Sequence, residues 1–196
     1  MNFLAHAYLS FSNSAILAGN MVADMVKGKQ MEAYPPDIQQ GIYIHRQIDS
    51  FTDNYPINQM AMNIFRPSAG KYAGAFLDVS YDHFLALSEK FEPENGWEDF
   101  TQLCYRQIGQ HSEILPSKFC SMFVYMESED WLYNYRHKWL IEKSFYRLKQ
   151  RAKYLTDDAP VFEAFEENYE ELSKSFDLFF PELYKHVKDM IANGNP

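Results

Sequence analysis

The chain has 196 residues, a length that suits one domain, and its 46% hydrophobic and 17% aromatic content supplies a generous core. With only 8 Gly and few Val or Thr, an all-β fold is disfavoured, and a net charge of −9 argues against nucleic-acid binding, which needs a basic surface. The two cysteines, Cys104 and Cys120, form no CxxC pattern, so they point to neither a disulfide framework nor a zinc ribbon and fit a reducing compartment.

Read from its start, MNFLAHAYLSFSNS has no basic segment and its apolar run is interrupted by His6 and Ser10, so no secretory leader is expected. A first helix is predicted over about 14–27. After Pro35-Pro36, Asp37 is the expected N-cap of a helix reaching about Ser50, with Ile38, Ile42, Ile48 and Phe51 on one side. Residues 71–90 carry Phe76, Leu77, Phe84, Leu85 and Leu87 with no breaker after Gly74. Further helices are predicted at 97–111, 117–128, 137–154, 159–174 and 181–192. Breaks are expected at Asn54 to Pro56, Pro67 to Gly70, Pro93 to Gly96, Pro116, Thr156 to Pro160 and Pro181. No period-2 run, repeat or dividing linker is found, and no apolar stretch is long enough to span a membrane. The expectation is a cytoplasmic, all-α, single-domain bundle of about seven or eight helices over residues 1–196.

Three polar pairs with the spacing of one helical turn occur early: Asn20 and Asp24, His45 and Asp49, and Asp78 and Asp82 with His83 adjacent. Each lies in a helix otherwise apolar on that side, where an unpaired charge costs several kcal/mol unless it is paired or binds a metal. Convergence of the three pairs on one cation would give a mixed imidazole and carboxylate site, suited to manganese, iron, zinc or magnesium. Taken singly, each residue has an ordinary reading. His45 and Asp49 make a helix-face hydrogen bond, Asp78 or Asp82 is a solvated acid or a partner of Arg46, His6 is an interior histidine, and Asn20 braces a turn.

Basic residues lie nearby in sequence. Lys27, Arg46 and Arg66 are candidates to bind phosphate, Arg46 above all because a guanidinium grips two oxygens at once. Between Arg136 and Lys153, seven basic residues, Arg147 and Lys149 among them, face one acid, Glu142. This stripe on an acidic protein is either a solvated face or a docking surface for one anionic partner.

The segments MNFLAHAYLS, LAGNMVADMVKG, GIYIHRQIDSFTD and LDVSYDHFL, in this order and spacing, closely resemble the acyl carrier protein phosphodiesterases. That family is similar to the HD-domain phosphohydrolases, which are all-helical and hold a divalent metal with His and Asp side chains. This chain has no His-Asp doublet, and Asp82-His83 is the reversed order. The resemblance implies an HD-like metal-dependent phosphodiesterase that uses manganese. Its substrate would be holo-acyl carrier protein, split into apo-protein and 4′-phosphopantetheine. The implied metal ligands are Asp24, His45, Asp49 and Asp82, with His6 and His83 as alternates and Asp78 orienting a ligand. Asp49 or Asp78 would accept a proton, His83 or His6 would protonate the leaving serine, and Arg46 or Lys27 would stabilise the phosphoryl oxygens. Arg147 and Lys149 would help dock the acidic carrier protein. The alternatives are a phosphohydrolase of nucleotides or other small phosphoesters, or a non-catalytic helical binding protein.

Overall fold

The helical spacing of the apolar residues is realised as eleven α-helices in the computed structural model, which describes residues 1–193 and contains no strand among them. The last three residues of the expected 1–196 domain lie outside the described residues. In chain order the helices are α1 (Phe3–Tyr8), α2 (Ser14–Val22), α3 (Pro36–Asn54), α4 (Pro56–Ala69), α5 (Ala73–Leu87) and α6 (Gly96–Gly109). They continue as α7 (Ser117–Ser128), α8 (Trp131–Asn134), α9 (Lys138–Arg151), α10 (Val161–Glu167) and α11 (Tyr169–Ala192).

Local chemistry explains most of the boundaries. The Asn13 side chain accepts from the Ala15 and Ile16 N–H groups, both at 3.1 Å, and starts α2. Helix α3 begins at Pro36, one residue before the expected Asp37 cap, because proline at the first position loses a hydrogen bond the helix would not have made. Asp37 then sits in the first turn, where its charge favours the helix dipole. The first predicted helix ends at Val22, and a 3-10 turn, Ala23–Met25, takes its place.

One expected break is absent: Pro181 lies inside α11, whereas the break expected at Pro67 to Gly70 is present, with Pro67 in the last turn of α4 and Gly70 ending it at φ 55°. In α11 the buried residues Phe176, Phe179 and Phe180 precede the proline and Leu183 and Val187 follow it, so core packing on both sides outweighs the missing hydrogen bond. The predicted 159–174 helix instead divides at Asn168.

Helix α5 is the axis of the molecule. Phe76, Leu77, Val79, Ser80, Tyr81, Asp82, His83, Phe84 and Leu85 are all buried, so it is covered on every side. It packs against α1, α4, α9 and α11. Aromatic rings fill the space between, as where Phe145 of α9 meets Phe76 edge-on at 5.0 Å. No helix among the described residues is long and apolar enough to cross a membrane.

Candidate metal centre

The site begins with two glycines. A Cβ on Gly19 of α2 would lie 2.7 Å from the Gly41 Cα of α3, and one on Gly41 would lie 2.9 Å from the Gly19 Cα. The two helices therefore cross with their backbones in contact, and Asn20 of α2 meets His45, one turn beyond Gly41. His45 is buried, and its Nδ1–H donates to the Asn20 backbone oxygen at 2.9 Å. That bond turns Nε2 toward Asp49 Oδ2 at 3.0 Å and Asp24 Oδ1 at 3.3 Å. Asp49 is one turn further along α3, and Asp24 sits in the 3-10 turn that closes α2.

Helix α1 brings the third component. His6 stacks on His45 with ring centroids 3.9 Å apart and planes 14° from parallel. Its Nδ1–H donates to the Asn20 side-chain oxygen at 3.3 Å, while Asn20 Nδ2 donates to Ser10 Oγ at 2.9 Å and that hydroxyl donates to the His6 carbonyl at 2.8 Å. His6 Nε2 is buried, has no hydrogen-bond partner, and lies 3.2 Å from Asp49 Oδ1. Asn20 thus holds both imidazoles, one through its side chain and one through its backbone, and both Nε2 atoms point at Asp49.

The electrostatics follow from the packing. Burial works to lower the pKa of His45, but hydrogen bonds and charge from Asp24 and Asp49 outweigh it and raise the value to about 9. Asp24 is held below the ordinary carboxylate range, first of all by its bond to His45. Burial pushes Asp49 upward, yet His45, His6 and the adjacent Met1 ammonium hold it well below the usual range. His6 is lowered to about 4 by burial and then by the neighbouring His45 charge. The Met1 ammonium is 3.3 Å from Asp49 Oδ1 and 3.1 Å from Asp78 Oδ1; burial opposes its charge, but the two carboxylates raise it to about 10.

His6, His45 and Asp49 together fit a divalent cation. Each offers a donor atom within 4.8 Å of the others. His6 Nε2 is buried with no hydrogen-bond partner, and two imidazole nitrogens with carboxylate oxygen suit manganese, iron or zinc.

The other residues singled out from the sequence fall elsewhere. Asp82, expected among the ligands, is fully buried and accepts the Leu4 N–H at 2.7 Å and the Ala5 N–H at 3.1 Å. It is the N-terminal anchor of the helix that carries His6, because the first amides of a helix have no partner within it. Burial pushes its carboxyl up to about 7, opposed by those two bonds. His83 Nδ1–H donates to the Tyr135 carbonyl at 2.7 Å, and its Nε2 accepts from the Tyr169 hydroxyl at 2.9 Å, so neither ring nitrogen is left for metal or substrate. Asp78 pairs with the Met1 ammonium, and burial raises its pKa.

Arg46 turns away from the cluster, donating to the Val26 carbonyl at 3.2 Å with its other nitrogen 3.8 Å from Met31 Sδ. Arg66 donates to Asn63 and Gln59 on the exposed side of α4, and Lys27 is exposed before the 3-10 turn Gly28–Ala33. The basic stripe is only partly paired in place. Lys138 pairs with Glu166 at 3.3 Å, Lys143 and Arg147 share Glu129 Oε2 at 2.8 and 3.3 Å, and Lys149 donates to the Asp157 and Ala159 carbonyls.

Sequence reasoning placed Asn20 in a polar pair with Asp24, with a turn brace as its ordinary reading, and missed its hold on both histidines. The available signal was its position, one turn before Asp24 and beside Gly19, where only a close helix crossing makes sense of the glycine. A cavity of about 230 Å³ adjoins the cluster and counts Asp24 and Asp78 among its walls.

Comparison with known proteins agrees with the local motifs. Residues 1–183 match the family described as acyl carrier protein phosphodiesterase. A protein of that name from Enterobacter sp. (strain 638) is 33% identical over 190 residues, 96% of this chain and 98% of the relative. One from Yersinia pestis is 34% identical over 189 residues, again 96% and 98% of the two chains. One from Klebsiella pneumoniae is 33% identical over 186 residues, 94% of this chain and 96% of the relative. No solved structure matches the chain significantly.

Proposed function

The chain belongs to the acyl carrier protein phosphodiesterase family, and on that premise we propose that it hydrolyses the diester joining 4′-phosphopantetheine to a serine of holo-acyl carrier protein. The products are the apo-protein and 4′-phosphopantetheine. His6, His45 and Asp49 hold a divalent cation, manganese, with Asp24 at its edge. The observation that carries this reading is the double brace from Asn20. It fixes both Nδ1 protons and leaves two Nε2 atoms converging on one carboxylate.

When bound, such a cation lowers the pKa of a water molecule and offsets phosphate charge. Asn20 and Asp49 orient the two histidines, and Asp82 fixes the helix from which His6 projects. Asp78, on the wall of the adjoining cavity and not engaged with either histidine, is the carboxylate suited to accept a proton from the attacking water. A reducing, cytoplasmic setting fits the two free cysteines, Cys104 and Cys120.

The direct test is to incubate the protein with holo-carrier protein and manganese and weigh the carrier. Loss of the phosphopantetheine mass is expected with the unaltered chain, and none with a chelator present or with His45→Ala. An unchanged mass with the unaltered, manganese-loaded protein overturns the assignment.

A further inference from the structure

A cluster of carboxylates repels a phosphodiester unless positive charge faces it, and Arg46 does not supply that charge, being turned to Val26. The α9 helix does. Ser144, Arg147, Leu148 and Arg151, at the spacing of one helix face, line the same cavity as Asp24 and Asp78. Arg147 is fixed there: its guanidinium lies 4.5 Å from the Trp131 ring centre, and both residues are tied to Glu129, Trp131 through Nε1 at 2.9 Å and Arg147 at 3.3 Å. Arg151 is exposed and has no ion-pair partner among the described residues.

The remainder of the wall is mainly apolar, with Phe3, Val79, Met122 and Trp131. The volume, about 230 Å³, is below the roughly 300–1,000 Å³ of pockets for drug-sized ligands. It suits a slender, uncharged chain better than a base and sugar.

We propose that this cavity is the subsite for the phosphopantetheine end of the diester. Arg147 and Arg151 hold the phosphoryl oxygens opposite the carboxylates, and the apolar wall and the Ser144 hydroxyl receive the amide-bearing arm. The proposal rests on the phosphodiesterase reading but is tested apart from it. The basic α9 helix then acts on the reacting group itself rather than as a surface for the carrier protein.

The experiment is calorimetric titration of the full chain, manganese-loaded, with 4′-phosphopantetheine and with AMP, using three proteins: unaltered, Arg151→Ala and Ser144→Phe. Ser144→Phe fills the cavity, and Arg151→Ala removes an exposed side chain that has no ion-pair partner among the described residues. The unaltered protein is expected to bind 4′-phosphopantetheine at least tenfold more tightly than AMP. Each variant is expected to weaken 4′-phosphopantetheine about tenfold, the scale of one charge-assisted hydrogen bond, and to raise KM for holo-carrier protein in step. Manganese affinity should remain that of the unaltered protein.

Equal binding of 4′-phosphopantetheine by all three proteins overturns the subsite, as does AMP binding as tightly. If the unaltered protein cleaves holo-carrier protein while Arg151→Ala binds normally, the subsite fails and the phosphodiesterase reading stands. If the variants weaken binding but no carrier protein is cleaved, the subsite stands and the phosphodiesterase reading fails.

Discussion

Asn20 engages the Nδ1 side of each imidazole and so sets how both rings are turned, although it is itself neither charged nor a ligand. Because His6 uses its side-chain oxygen and His45 its backbone oxygen, substitution separates the two. Asn20→Ala frees His6 to rotate or change tautomer but leaves the His45 bond in place. Loss of such an outer partner weakens a metal site roughly 10- to 100-fold. Manganese titration of Asn20→Ala should show a loss in that range; an unchanged affinity would mean that His6 is not a ligand.

His83 gives a residue-scale prediction in pH. Burial, against its bond to the Tyr135 carbonyl, lowers it from its ordinary 6.5 to about 4, so the folded chain resists a proton that the unfolded chain takes up. Between those values the unfolded state binds more protons, and stability must fall as pH drops from 6.5 toward 4. A shift of this size corresponds to about 3 kcal/mol. His83→Gln keeps a donor for Tyr135 and an acceptor for Tyr169 but cannot titrate. Urea unfolding across this range should therefore show a flatter pH profile for the variant, and parallel profiles would count against a buried, neutral His83.

Among the elements, α1 is the one whose placement depends most on a single side chain. With six residues it is too short to be stable alone, and Asp82 of the central α5 holds its first amides. Asp82→Ala would leave two buried donors unsatisfied, each costing roughly 1–3 kcal/mol. The expected outcome is a clear drop in thermal stability together with loss of manganese affinity, since His6 moves with its helix. Asp82→Asn, which retains one acceptor, should lose less of both. If Asp82 were instead a ligand, Asp82→Ala would lose metal without destabilising the metal-free chain.

For the whole molecule, the centre joins α1, α2 and α3, three elements separated by up to about 40 positions of chain, so a cation bound there should stabilise the complete fold. At a concentration one hundred times its Kd, a ligand contributes about 2.7 kcal/mol. In a domain of this size that is a rise in Tm of roughly 5–10 °C. Calorimetry with and without manganese should show it, and His45→Ala should abolish it; an equal rise in the variant would place the cation elsewhere.

The helical character, the pairing of His45 with Asp49 and the family motifs were legible in the sequence, because helix periodicity and i, i+4 spacing are local properties of the chain. Three things were not. Whether Asp82 meets a cation or the amides of α1 depends on which helix packs on α5, and spacing alone does not say that. Arg46, adjacent to His45 in sequence, points out to Val26 because successive residues of a helix face different directions. Pro181 reads as a break, yet buried aromatics on both sides carry the helix through it. The sequence by itself determined which residues share a helix face. Only the tertiary structure decided which faces meet, and the contact of Gly19 with Gly41 that brings Asn20 to both histidines is a matter of helix crossing, formed between parts of the chain that no local rule connects.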